Sequence, residues 1–284
     1  MPELAYVNGE ILPLNRAMVH VEDRGFQFAD SVYEVLRTYD GRLFAVDEHL
    51  ARLEQSMAAI ELTPPLSRAE LARILKELVR RSEFREAVVY LQITRGVAPR
   101  HRAIPPNARP TVVATVRELA PAPERLSGPG IKIITVTDFR WARCDIKTTA
   151  LLANVLAFHQ ARKAGADDAV FVAADGTIEE STAGNVFVVR GGQLLTPPTG
   201  ARLLAGITRR KIIEAAGVAG VPCREGVLTR EELWRADEVF LSSTTAQITP
   251  VGWVDGQPVG NGQCGPVTAR IYEAFLRLAR AASE

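Results

Sequence analysis

Cysteine is scarce in this chain: Cys144, Cys223 and Cys264 are scattered, odd in number and form no CxxC pair. A disulfide framework and a structural zinc site therefore have no support, and reduced thiols in a cytoplasm fit best. An excess of either charge is also missing. Lys and Arg total 34 against 33 Asp and Glu, a formal net charge of +1. That balance offers nothing to nucleic acid or a membrane surface. No apolar run approaches the roughly 20 residues that span a bilayer, and the start, MPELAYVNGEI, does not read as a secretion signal. The four histidines, His20, His49, His101 and His159, are too dispersed to suggest a metal site by spacing. Walker A, HExxH and GxSxG patterns are absent. A literal GxGxxG runs from Gly260 to Gly265, but the chain ends before the acidic residue that a ribose requires. It reads as a turn ahead of the last helix, with Pro266 near that helix's start. Hydride transfer, phosphoryl transfer, zinc hydrolysis and triad hydrolysis all lose their usual support.

What is present is an ordinary globular composition, 47% hydrophobic and 24% charged, in 284 residues, near the size at which one core divides into two. Asn8-Gly9 and Asp40-Gly41 mark tight hairpin turns, the second after the apolar stretch VYEVLRTY. Asp47 is placed to cap a helix to about Ile60, with Leu50, Leu53 and Met57 on one face. Ser67 with Glu70 forms a capping box for a helix carrying Leu71, Ile74, Leu75 and Leu78. Strands are expected at 87–94 and 111–116. The segment PAPERLSGPG, residues 121–130, is the richest Pro/Gly stretch and reads as a linker, dividing a domain 1–120 from a domain 131–284. The second part offers the strand IKIITVTDF and a helix from about Leu151 to Ala164, ended by Gly165. A meander follows through turns at Asp175-Gly176 and Gly191-Gly192. Helices near Thr208 and Thr229 (with Glu232 as box partner), the strand EVFLSS and a final helix from about Val267 complete it. Strands and helices are grouped rather than alternating, which predicts an α+β fold.

Lys147, in RCDIKTTALLANVLAF, is the most informative residue. It precedes a helix that Thr148 or Thr149 is placed to cap, and a lysine facing a helix N-terminus is pushed toward the neutral amine that imine formation needs. In isolation it would be an exposed lysine; its neighbours change that. A phosphorylated imine cofactor needs an anion site, and Gly206-Ile207-Thr208 opens a helix with free N–H groups and a hydroxyl. Ser242-Ser243-Thr244-Thr245 adds donors after a strand. Arg52, in EHLARL, is suited to a bidentate phosphate pair. A pyridine ring used as an electron sink needs a carboxylate against its nitrogen; Glu180, in GTIEESTAGNVF, is the candidate, with Glu179 pointing the other way if the segment is extended.

With these residues in view, the sequence resembles the class IV aminotransferases, most closely the D-amino-acid aminotransferases. The resemblance spans essentially the whole chain, through EDRGFQFADSVYEV, EHLARL, QITRGVAPR, RWARCDIK, the Ser/Thr-rich turn before NVF, GITR and STTAQITP. It implies a two-domain fold with pyridoxal 5′-phosphate in the cleft between the domains and transamination between D-amino acids, such as D-alanine and D-glutamate, and 2-oxo acids. Lys147 would be the Schiff-base lysine and general acid/base, and Glu180 the partner of the pyridine nitrogen. Arg52, Ile207, Thr208, Ser243 and Thr244 would hold the phosphate. Tyr33 would lie beside the cofactor's phenolic oxygen and the substrate. The family's Arg-x-His carboxylate trap, which acts across a homodimer interface, matches at Arg100, but Arg102 stands where its histidine belongs, with His101 between them. Within the fold, a branched-chain L-aminotransferase, an (R)-amine transaminase and an aminodeoxychorismate lyase remain the rival activities. A non-catalytic cofactor-binding protein is the rival of another class.

Overall fold

The computed structural model describes residues 3–120, 126 and 128–283. It divides into two units, one of Met1–Pro121, Ile146–Ala150 and Ala279–Glu284, the other of Ala122–Asp145 and Leu151–Leu278. The linker expected at 121–130 lies mostly outside the described residues. The division differs from a continuous 131–284 in that Ile146–Ala150 and the C-terminal residues group with the first unit.

The first unit holds β1 (Leu4–Val7), β2 (Glu10–Pro13), α1 (Arg24–Phe28), β3 (Ser31–Tyr39), β4 (Arg42–Leu43), α2 (Val46–Ala59), α3 (Arg68–Ser82), β5 (Ala87–Thr94) and β6 (Thr111–Glu118). The strands form one antiparallel sheet, ordered β2-β1-β6-β5-β3-β4. Both dipeptide turns are where the sequence puts them. Asn8 and Gly9 take positive φ between β1 and β2, and Asp40 and Gly41 do so between β3 and β4. Strand β5 alternates buried and half-buried residues, the pattern of a sheet with one face on a core. That core is shared with α2 and α3, through Leu50, Leu53, Met57, Leu71, Leu75 and Leu78. Ser67 and Glu70 make the full capping box of α3. The cap expected at Asp47 is not formed: α2 starts two residues earlier, from an N-cap at Ala45 in the left-handed region, and Asp47 falls in its first turn, where a negative charge suits the helix dipole.

The second unit holds β7 (Ile131–Thr137), α4 (Leu152–Lys163), β8 (Asp168–Val172), β9 (Ile178–Ser181), β10 (Asn185–Arg190), β11 (Gln193–Thr196), α5 (Ile207–Val218), β12 (Cys223–Glu225), α6 (Arg230–Trp234), β13 (Glu238–Ser243), β14 (Gln247–Val254), β15 (Gln257–Pro258) and α7 (Pro266–Ala281). The meander β8 to β11 forms as expected, and α4 connects the parallel pair β7 and β8. Strand β9 pairs with β8 on one side and with β10 on the other, at Glu180 opposite Asn185. The run β10-β13-β14-β7-β8-β9 therefore closes on itself as a barrel. The core is split by strand alternation. Val170, Val186, Val239 and Leu241 fall in one cluster, while Phe187 and Phe240 stack at 4.8 Å on the other side of their strands. Thr229 and Glu232 cap α6 as a box. Helix α4 begins after Leu151 without a side-chain cap. The expected caps are occupied elsewhere: Thr149 Oγ1 lies 2.5 Å from Ser31 Oγ, and Thr148 Oγ1 donates to Ala29 O at 3.4 Å. The capped-helix argument for an uncharged Lys147 is thus not the arrangement found.

Candidate active site

In the first unit the segment around Lys147 runs beside β3. Tyr33 N donates to Lys147 O at 2.9 Å, Val32 bridges Thr148, and Thr149 N donates to Ser31 O at 3.4 Å. Ile146 on one side of this short extra strand joins the helix-facing core, which turns the neighbouring Lys147 side chain to the Tyr33 face. There the ammonium lies 4.3 Å from the Tyr33 ring centroid, and Tyr33 stacks on Tyr90 at 5.5 Å. Lys147 is half-buried and makes no ion pair among the described residues. From the other side, Ser56 of α2 holds the segment by accepting from Lys147 N at 3.2 Å.

Arg52 lies one turn before Ser56 on α2. Its Nε and Nη2 donate to Glu34 Oε1 and Oε2 at 2.7 and 2.8 Å, and His49 Nδ1 lies 2.7 Å from Glu34 Oε2. Burial alone would raise the Glu34 carboxyl, but Arg52 and His49 overcome it and hold it down at about 2. Burial lowers His49, which is therefore neutral and donates from Nδ1. Neither Glu34 nor His49 is singled out by sequence motifs. The available signal is alternation in SVYEVLRTY, which puts Glu34 on the same face as Val32 and Leu36, where a carboxylate needs a partner.

The loop carrying Arg100, His101 and Arg102 is exposed. Arg100 lies over the Phe28 ring at 4.6 Å and donates to Gln27 O at 3.4 Å. His101 O accepts from the buried Arg24 at 2.5 Å, which ties the loop to the first residue of α1.

In the second unit Glu180 lies at the seam of the barrel. Its Oε1 accepts from Arg140 Nη1, and its Oε2 accepts from Leu204 N at 3.2 Å. Asn185, directly opposite, donates to Leu204 O at 3.0 Å. Arg140 is further held by Asp138, by Arg202 O and by the Phe171 ring. Burial pulls this guanidinium down, yet Asp138 and Glu180 outweigh it and raise it. Arg140 shares the stretch RWARCDIK with Arg143, and nothing in the sequence sets the two apart; Arg143 pairs with Asp145 at the surface. Glu179 turns the other way, toward Arg202. The clamped Leu204 leads into Gly206, the N-cap of α5, where no side chain caps Ile207 and Thr208. Ser243 and Thr244 lie where β13 turns toward β14; Ser243 Oγ accepts from Ala246 N at 3.1 Å. The neighbouring Ser242 Oγ is buried and has no hydrogen-bond partner among the described residues.

The first unit thus offers a half-buried amine at Lys147, and the second offers a clamped carboxylate at Glu180 and an uncapped helix N-terminus at Ile207 and Thr208. Residues 31–253 match the family described as amino-transferase class IV. The chain is 42% identical over 268 residues, 94% of each chain, to a D-alanine aminotransferase of Bacillus licheniformis. It is 41% identical over 282 residues to that of Listeria monocytogenes, covering 98% of this chain and 97% of the other. Among solved structures it resembles the branched-chain aminotransferase of Escherichia coli, with a TM-score of 0.89, 32% identity and coverage of 100% and 96%. It also resembles a second branched-chain aminotransferase, that of T.th., solved with pyridoxamine 5′-phosphate, with a TM-score of 0.92, 28% identity and coverage of 99% and 95%. The chain belongs to the class IV aminotransferases. It is an enzyme whose cofactor is pyridoxal 5′-phosphate and whose substrates are an amino acid and a 2-oxo acid, on the α+β fold expected from the sequence. No helix among the described residues is long and apolar enough to cross a membrane.

Proposed function

We propose that this enzyme transfers the amino group of D-amino acids, such as D-alanine and D-glutamate, to 2-oxo acids through an alternating, ping-pong cycle. The observation that carries the reading is the Lys147 amine held against the Tyr33 ring with no carboxylate partner among the described residues, in a chain similar over nearly its whole length to D-alanine aminotransferases. When bound, the cofactor withdraws electrons from the substrate's α-carbon. Lys147 would move a proton between the substrate's α-carbon and the cofactor's C4′ on one face. Glu180 keeps a proton on the ring nitrogen. Tyr33 would sit beside the cofactor's phenolic oxygen and shape the substrate's space. Arg52, Ile207, Thr208, Ser243 and Thr244 bind the phosphate through charge, helix N–H groups and hydroxyls. Arg100, with His101 and Arg102 on its loop, takes the α-carboxylate, and the added positive charge of Arg102 replaces a histidine's hydrogen bond with a second guanidinium.

The reading includes a homodimer in the cytoplasm. Helix α4 supports the dimer: Leu152, Val155 and Leu156 are 70%, 58% and 51% exposed, an apolar face suited to a second copy. Reduced cytoplasmic thiols suit the three free cysteines.

The test is an assay of purified enzyme with D- and L-alanine, D- and L-glutamate, L-branched-chain amino acids and an (R)-amine against pyruvate and 2-oxoglutarate. Turnover of the D-amino acids is expected, together with absorbance near 420 nm that Lys147→Ala removes. Preference for L-substrates, or wild-type turnover by Lys147→Ala, would overturn the reading.

A further inference from the structure

Strand β3 presents a carboxylate to the wrong side of its sheet. Val32, Glu34 and Leu36 share the face that packs on α2, and Glu34 is 0% exposed there. Helix α2 answers with a stripe that is polar although buried: His49, Arg52 and Ser56, at i, i+3 and i+7. Replacing all of this with leucine-like packing would cost the fold little, since a buried ion pair seldom outperforms well-packed apolar residues in stability. The arrangement therefore calls for a use other than holding α2 onto β3.

We propose that Glu34 and His49 are positioning residues for a phosphate group, acting through Arg52; this rests on the phosphate role given to Arg52 above. Glu34 takes two of the Arg52 donors in one plane, Nε at 2.7 Å and Nη2 at 2.8 Å, and so fixes the direction in which the rest of the guanidinium points. His49 fixes Glu34 in turn, at 2.7 Å from Oε2. The ligand this prepares for is a phosphate monoester, and the binding energy comes from a cation already held in its bound orientation. The carboxylate stays ionised throughout the working pH range because Arg52 and His49 offset the cost of burying it.

The sign of the effect separates positioning from simple charge. Removing a buried carboxylate raises the local positive potential, so charge alone predicts tighter binding of an anion when Glu34 is neutralised. Positioning predicts weaker binding, and only for ligands that carry the phosphate.

Apoenzyme is titrated with pyridoxal 5′-phosphate and with pyridoxal, which lacks the phosphate, and binding is followed by absorbance. In Glu34→Gln the dissociation constant for pyridoxal 5′-phosphate should rise by at least about tenfold, while that for pyridoxal stays within about twofold. Equal weakening of both ligands, as a purely structural role predicts, or tighter binding of the phosphate ester would overturn the proposal. If Glu34→Gln does not fold, His49 supplies the test. His49→Asn keeps a donor for Glu34 and should stay near wild type, while His49→Phe should weaken the phosphate ester selectively. A His49→Phe protein with the wild-type ratio of the two constants would equally sink it. Failure of wild-type apoenzyme to take up pyridoxal 5′-phosphate at all would instead refute the proposed function itself.

Discussion

Glu180 and Asn185 sit opposite one another in the ladder that closes the barrel, and both grip the peptide groups of a single residue, Leu204. One accepts from its N–H and the other donates to its carbonyl. The approach to α5 is thereby fixed to the same two strands that place the Glu180 carboxylate, so the carboxylate and the helix N-terminus cannot shift independently. In the proposed function these two would hold the ring and the phosphate of one cofactor, which are joined by a short arm and would need that rigidity.

Gly206 tests this coupling. Its φ is −64°, an ordinary value, so glycine is not needed for conformation. It is needed for space, because an added Cβ would overlap Asn185 Oδ1. Gly206→Ala should push Asn185 off Leu204, cost about 1–3 kcal/mol of stability and weaken cofactor binding. Thermal unfolding and cofactor titration measure the two effects. A stable variant with wild-type affinity would mean that Asn185 yields freely and the clamp is unimportant.

Much of this arrangement is legible in the sequence, for physical reasons that differ by element. The two-residue turns at Asn8-Gly9 and Asp40-Gly41 and the boxes at Ser67/Glu70 and Thr229/Glu232 are local chemistry, and each forms. Lys147, Glu180 and Arg52 stand out only through the ordered motifs around them. What the sequence hides is the identity of buried partners. Arg140 and Arg143 look alike in RWARCDIK, yet one is locked under Phe171 and Glu180 while the other lies at the surface with Asp145. Thr148 and Thr149 look like caps for α4, but Thr149 bonds to Ser31 at the start of β3 and Thr148 to Ala29 just before it, because the segment around Lys147 pairs with that strand before the helix begins. Local preference lost there to a tertiary ladder.

Glu180 should matter to rate more than to binding. Glu180→Gln keeps an acceptor for Leu204 N but cannot hold a proton on a pyridine nitrogen as a carboxylate does, and it leaves Arg140 with Asp138 as its remaining carboxylate. Turnover should fall by roughly 10²-fold or more, while the protein still takes up cofactor. Steady-state kinetics beside a cofactor titration separate the two. An unchanged rate would move the pyridinium partner to another residue.

Arg100 should be felt in the Michaelis constant. It is exposed, and its present contacts, the Phe28 ring and Gln27 O, are weak enough for a carboxylate to displace. Arg100→Ala should raise the constant for D-alanine by about tenfold or more and leave that for a primary amine without a carboxylate nearly unchanged. Parallel rises for both donors would argue against a carboxylate trap on this loop.

The buried cluster on α2 makes stability fall in two steps as the solution is acidified. His49 has a folded value below its ordinary 6.5, so the unfolded chain binds a proton that the folded chain refuses. Its contribution is present above pH 6.5 and declines as pH falls below it. Glu34 has a folded value of about 2 against an ordinary 4.5, so its contribution is present above 4.5 and is lost as pH falls from there toward 2. Both losses run in the same direction, but they occupy different windows. Melting temperatures measured from pH 8 to pH 3 should therefore decline first near 6.5 and again below 4.5. His49→Asn should flatten the first decline and keep the second, because asparagine does not titrate while Glu34 retains Arg52. A His49→Asn protein whose profile from pH 8 to pH 5 matches wild type would show that His49 takes up its proton without resistance in the fold. The neutral donor assigned to it would then be wrong.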